Sequence, residues 1–111
     1  MAQSKVEFFE EFSLRLSGFN KALAHPARLA ILETIAKNEI CNCGEIVDTL
    51  PLAQSTVSQH LKELKKCGII VSETEGSKSC YSINWNELED NFGKLTGFAN
   101  KLKDMQPYTV V

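Results

Sequence analysis

The chain has 111 residues, 43% of them hydrophobic and 23% charged, which suits one soluble domain built on one core. Twelve basic against fourteen acidic residues leave a formal net charge of −2, so the total gives no support to a nucleic-acid partner and the local distribution of charge has to decide. No apolar run is long enough to span a bilayer, so no membrane partner is expected. Early acids at the N-terminus, with no clean apolar stretch, argue against a secretory signal; the chain is therefore expected in the cytoplasm, with its four unevenly spaced cysteines reduced.

A first helix is expected from Val6 to Leu23 (about 5–23), where Phe8, Phe12, Phe19 and Leu23 recur at helical spacing and Phe9 and Leu16 widen the stripe. Gly18 weakens its second half. "AHPARLAILETIAKN" predicts a second helix, with Pro26 at the first helical position, Leu29, Leu32, Ile35 and Ala36 as its inner face, and Asn38 as a left-handed stop. "NCGEIVDTLP" predicts a short third helix. Asn42 and Glu45 have the spacing of a capping box, Ile46, Val47 and Leu50 face inward, and Pro51 ends it.

In "LAQSTVSQHLKELKKCG" a fourth helix follows. Val57, Leu61 and Leu64 form one buried line, Lys65 and Lys66 suit the last turn, and Gly68 terminates it. "IIVSETEGSKSCYSI" reads as two strands around a Gly-containing turn. "NELEDNFGKLTGFANKLKDM" predicts a terminal helix (about 86–104), with Asn86 and Glu89 repeating the capping spacing, Lys101 and Lys103 in the last turn, and an apolar stripe of Leu88, Phe92, Leu95, Phe98 and Leu102.

The fold class expected is therefore mainly α with a small β-hairpin, a single domain over 1–111 in the order helices, hairpin, helix. A short helix, a tight turn and a second helix are the parts of a helix-turn-helix (about 42–67), and the hairpin after it (about 69–83) makes it winged.

The front of the fourth helix is rich in mediocre helix formers. On a helical wheel Ser55, Gln59, Lys62 and Lys66 point away from the Val57–Leu61–Leu64 line, Thr56 and Ser58 flank them, and Gln54 leads in. Short polar side chains let a helix enter a major groove closely, and glutamine offers the paired donor and acceptor that adenine presents there. Ser and Thr contact phosphates or base edges, and lysines add attraction without sequence information. The bland alternative is a solvated helix start. The basic turn, the Gly stop and the hairpin with Ser77 and Lys78 favour DNA. For His60, nearer the apolar line, a half-buried hydrogen-bonded role and a DNA contact compete.

"KALAHPARLAILETI", "EICNCGEIVDTLPLAQSTVSQHLKELKKCGII" and "EGSKSCYSI" together resemble the ArsR/SmtB family of metal- and metalloid-responsive repressors, over about Lys21 to Ile83. The resemblance implies a homodimeric winged-helix repressor that binds double-stranded operator DNA and leaves when an effector binds. It also implies that Gln54, Ser55, Thr56, Ser58, Gln59 and His60 include the groove-facing residues. All six phenylalanines lie in the two terminal helices. Either they pair within one chain or a second copy completes their surface; the adjacent Phe8 and Phe9, which cannot face the same way on a helix, favour the second copy.

Cys41 and Cys43 flank the expected cap Asn42, where the helix dipole should lower their pKa and favour thiolate, the form soft ions bind. Arsenic sensors of the family carry a C-x-C pair at the corresponding place, which implies As(III) or another soft thiophilic ion here; an oxidant is the other effector such a pair could sense. The family's further cysteine, three residues after the pair, is Ile46 in this chain. Cys67 and Cys80 are either buried filler or a third ligand. The competing function class is a winged-helix protein-interaction module that never touches DNA, favoured by the net acidity and disfavoured by the Ser/Gln helix front. An enzyme is not expected: with two histidines there are no paired carboxylates, phosphate loop or metal-hydrolase motif.

Overall fold

The computed structural model describes residues 9–107. In chain order these form α1 (Glu11–Leu23), α2 (Pro26–Asn38), β1 (Cys41–Asn42), α3 (Cys43–Thr49), α4 (Gln54–Lys66), β2 (Ile70–Glu75), β3 (Lys78–Ile83) and α5 (Trp85–Asp104). Helix α3, its turn and α4 make the helix-turn-helix, and β2 and β3 the wing. Among the described residues no helix is long and apolar enough to cross a membrane.

Three helix starts, those of α2, α3 and α5, carry a side-chain cap. Pro26 opens α2, and the His25 ring caps it by accepting the Ala27 N–H. The capping box of α3 is complete: Asn42 Oδ1 accepts the Glu45 N–H at 2.9 Å, and Glu45 Oε1 accepts the Asn42 N–H at 3.1 Å. The cap of α5 is Asn84, not Asn86. Its side chain accepts the Glu87 N–H, while its own N–H donates to Ile69 O and so joins the end of the wing to the helix start.

α1 begins later than its stripe suggests. Phe9 and Glu10 precede it, and the rest of the expected first turn, Phe8 included, lies outside the described residues. A helix is held by burying its apolar face, and Phe9 is 59% exposed. In α2 the inner face is Ala27, Ile31, Thr34 and Ile35; Leu32 and Ala36 pack partly, and Leu29 points outward. The left-handed stop is Glu39 (φ 65°) rather than Asn38. Asn38 O accepts the Ile40 N–H at 2.7 Å across Glu39, a γ-turn that redirects the chain into β1.

The end of α4 is a Schellman motif: Gly68 N–H donates to Lys65 O and Ile69 N–H to Leu64 O, with Leu64 and Ile69 both fully buried. Gly68 adopts φ +80°, and an added Cβ would sit 3.7 Å from Glu87 Cγ, so space is not the obstacle. The backbone is. Gly68→Ala is expected to lower stability by about 1–2 kcal/mol, seen as a lower denaturant midpoint at unchanged slope.

The wing turns through Gly76 and Ser77 between the paired Glu75 and Lys78, with positive φ only at Gly76, the pattern of a type II′ hairpin. The strand order is β1-β3-β2, antiparallel throughout, with Cys41 opposite Tyr81 and Asn42 opposite Cys80. The two-residue β1 has no signature of its own in the sequence. It ties the front of α3 to the wing. The core lies where α2, α3, α4 and the wing meet: Ile31, Ile35, Ile46, Val57, Leu61, Leu64 and Ile70 are at most 1% exposed. α1 joins it through Phe19, whose ring meets that of Phe92 on α5 edge to face at 5.4 Å between centroids.

Candidate nucleic-acid interface

α4 is pinned to the body by Val57, Leu61 and Leu64, as their spacing predicts. That fixes what points away: Gln54, Ser55, Thr56, Ser58, Gln59, Lys62 and Lys66 are all exposed. Among the described residues none of these side chains is engaged in a hydrogen bond or ion pair with the protein. α2, α3 and α5 each start under a side-chain cap, whereas α4 starts at Ala53, which provides none. Its first intrahelical bond is Val57 N–H to Ala53 O, so the amides of Gln54, Ser55 and Thr56 stay free at the positive end of the helix dipole.

The wing stands beside this tip. Gln54, Cys43, Ser77 and Lys78 line one open groove of about 310 Å³, which brings four of the expected site residues together from three elements. Ser77 and Lys78 are exposed.

His60 belongs to the other side of α4. It is 9% exposed, its Nδ1 accepts the Arg28 Nε–H at 3.0 Å, and its ring lies 4.5 Å from that of His25. The half-buried reading of its position describes it, and the groove-facing role implied by resemblance does not. Burial, then the neighbouring His25 and Arg28, hold its pKa below the ordinary 6.5. Arg28 had no local signal in the sequence. Its partner is thirty-two positions away, a contact that only the packing of α2 on α4 creates.

The thiols behave differently from their expected chemistry. Cys41 is 1% exposed and its Sγ lies 3.8 Å from Thr34 O. Burial pushes its pKa up and the Glu45 carboxylate adds to the rise; burial pushes Cys43 up as well. Burial thus disfavours the charged form, and both groups favour the neutral thiol over the thiolate. The β1–β3 register sets Cys80 opposite Asn42, between the pair, but Cys80 Sγ is directed to Glu75 Oε2 at 3.8 Å, and its pKa too is raised, by burial and then by Glu75. Cys67 lies at the far end of α4, lining a different cavity with Arg15 and Lys94. No group of three or more His, Cys, Asp or Glu side chains able to hold a metal ion occurs among the described residues. Among the described residues, Cys41 and Cys43 are therefore joined by no third donor for a soft ion.

The interface geometry has relatives. Residues 25–72, which run from the cap of α2 into β2, match the family model for bacterial regulatory proteins of the arsR family. An uncharacterized HTH-type transcriptional regulator of Methanocaldococcus jannaschii, MJ1325, is 44% identical over 64 residues, 57% of this chain and 71% of that protein. The transcriptional repressor PagR of Bacillus anthracis is 38% identical over 69 residues, 62% of this chain and 69% of its own. The crystal structure of PagR superposes with a TM-score of 0.59 at 37% identity, covering 68% of this chain and 86% of that one. An ArsR-like regulator from Rhodococcus sp. RHA1 shares the fold at a TM-score of 0.74 and 20% identity, over 84% of this chain and 87% of that one. With a helix-turn-helix, a wing and a relative this similar over most of its own length, the chain belongs to the arsR family of bacterial regulatory proteins, as a winged helix-turn-helix transcriptional regulator.

Proposed function

We propose that the chain is a dimeric repressor that reads double-stranded operator DNA with the exposed front of α4 and steadies itself with the wing. Ser55 and Gln59 face the base edges. Gln54, Thr56, Ser58 and the free amides of the first turn meet phosphate, and Lys62, Lys66, Ser77 and Lys78 hold the backbone on either side. One observation carries this reading: among the described residues, the exposed polar side chains of α4 are committed to no partner in their own protein. Two features support the dimer. α5 exposes Phe92, Phe98, Leu102 and Met105, and α1 exposes Phe12 and Leu14. A monomer rarely leaves so many large apolar side chains in water without a use.

The test is titration of the protein on labelled duplexes tiling the DNA upstream of its own reading frame, across a range of salt. Affinity is expected to fall linearly on logarithmic axes, by a slope of about −0.9 for each phosphate neutralised. Binding that ignores salt, or no binding to any duplex, would favour the protein-interaction module. Arsenite added to the bound complex examines the Cys41/Cys43 reading in the same cuvette. With both thiols favouring the neutral form and no third donor beside them among the described residues, no release is expected; release would establish the pair as the sensor.

A further inference from the structure

We propose that Arg28 is a positioning residue for DNA binding: through the single acceptor His60 Nδ1 it fixes how α4 sits on α2, and so where the reading side chains of α4 point. The proposal rests on α4 being the DNA-reading helix.

The argument starts from what otherwise holds α4. Val57, Leu61 and Leu64 pack it on the core, but apolar burial has no direction, and small rolls of a helix on such a surface leave the buried area nearly unchanged. The front carries no side-chain cap. Among the described residues, the hydrogen bond from Arg28 Nε is the only one made by an α4 side chain with the rest of the protein. A directional bond between two packed helices selects one roll out of several. Arg28 is itself held from the other side, because its Nη1 donates to Ala22 O at 3.2 Å, near the end of α1. One guanidinium therefore spans the helix that carries the exposed apolar surface and the helix that carries the polar reading face.

The bond needs a neutral imidazole. His60 Nδ1 accepts, so the ring's proton sits on Nε2; a second proton on Nδ1 would set donor against donor and cation against cation. The titratable and charged groups acting on His60 are His25, just before α2, and Arg28 on α2; α3 and β2, the other elements packed on α4, contribute none. His25 Nδ1 likewise accepts, from the Ala27 N–H, and its ring is tilted by 50° to that of His60. Since the folded chain holds the pKa of His60 below 6.5, the bond's contribution is fully present above that value and is lost as pH falls below it.

The direction of the effect separates this device from ordinary electrostatics. Adding positive charge to a protein normally tightens its hold on a polyanion. Here acid is expected to loosen it. The experiment measures affinity for the best-bound upstream duplex between about pH 8 and about pH 5.5, for the wild type, His60→Asn and Arg28→Gln, with circular dichroism at each pH to confirm the fold. The wild type is expected to lose about tenfold in affinity on acidification. His60→Asn, whose amide oxygen can stand where Nδ1 stood and does not titrate, should bind like the wild type at the upper pH and stay flat. Arg28→Gln should be weak throughout and flat. Hydrogen exchange on the DNA-free protein adds an independent reading: the α4 amides of Arg28→Gln should exchange faster, while those of β2 and β3 stay protected. A wild-type profile that is flat or tightens with acid, a His60→Asn profile that follows the wild type, or unchanged α4 exchange in Arg28→Gln overturns the proposal. Failure of the wild type to bind any duplex counts instead against α4 as the reading helix, and the exchange comparison still decides what Arg28 holds.

Discussion

Gln59→Ala is expected to weaken operator binding by about 1–3 kcal/mol, roughly fivefold to 150-fold, and to relax base preference at one position of each half-site. Its stability should stay within about 0.5 kcal/mol of the wild type, because the side chain is exposed and bonds to nothing in the protein. Lys62→Gln is the matched control. It lies one turn further along the same exposed face, and removing it takes away charge without removing a base contact. Its loss should be similar for every duplex and should reduce the salt slope by about 1. Equilibrium titration of both variants against the operator and against single-base variants of it separates the two roles. If Gln59→Ala weakens all sequences alike, the residue contacts phosphate and base reading lies elsewhere on the tip.

The exposed face of α4 was legible in the sequence because one periodic pattern marks its opposite side. The line of Val57, Leu61 and Leu64 fixes the buried side by periodicity alone, and the same three residues are buried in the fold. The exposed positions expected on α4 then follow as the complement of that line, and His60 does not. His60 shows the limit of the method. A wheel places it near the apolar side, but only its partner explains why a histidine stands there, and Arg28 reaches it through tertiary packing. Local capping rules worked where the partner is three residues away, as at Asn42 and Glu45, and slipped by two residues at α5, where the hydrogen bond from Asn84 to Ile69 across the end of the wing fixes the helix start. The thiols were misjudged for a related reason. The dipole of α3 is visible in the sequence, whereas the burial of Cys41 against Thr34 and its pairing beside β3 are not, and that burial raises its pKa.

The terminal helices lead to the larger prediction. Along α5 the stripe read from the sequence begins buried at Leu88 and then emerges, with Phe92 at 45%, Phe98 at 40% and Leu102 at 52% exposure. Phe98 lines a shallow pocket with Phe12 and Leu16 of α1, so the two ends of the chain already share one apolar surface. A second copy laid across it would cover that surface and set two α4 tips about 34 Å apart, one turn of duplex. Phe98→Glu is expected to give a folded monomer. The core residues Ile31, Ile35, Leu61, Leu64 and Ile70 lie in α2, α4 and β2, away from this face, and are fully buried within one chain. Sedimentation should show half the wild-type mass, with the helical circular dichroism retained. The effect on DNA binding should exceed that of any single groove contact, because tethering two reading heads makes the second contact intramolecular, at an effective concentration in the millimolar range; losing it is expected to cost about 10²–10⁴ in affinity. The same variant should be nearly indifferent to deleting one half-site of the operator, whereas the wild type should respond strongly. A Phe98→Glu protein that still sediments as a dimer would move the interface off this face, and a wild type that sediments as a monomer while binding a two-fold site tightly would remove the dimer from the mechanism.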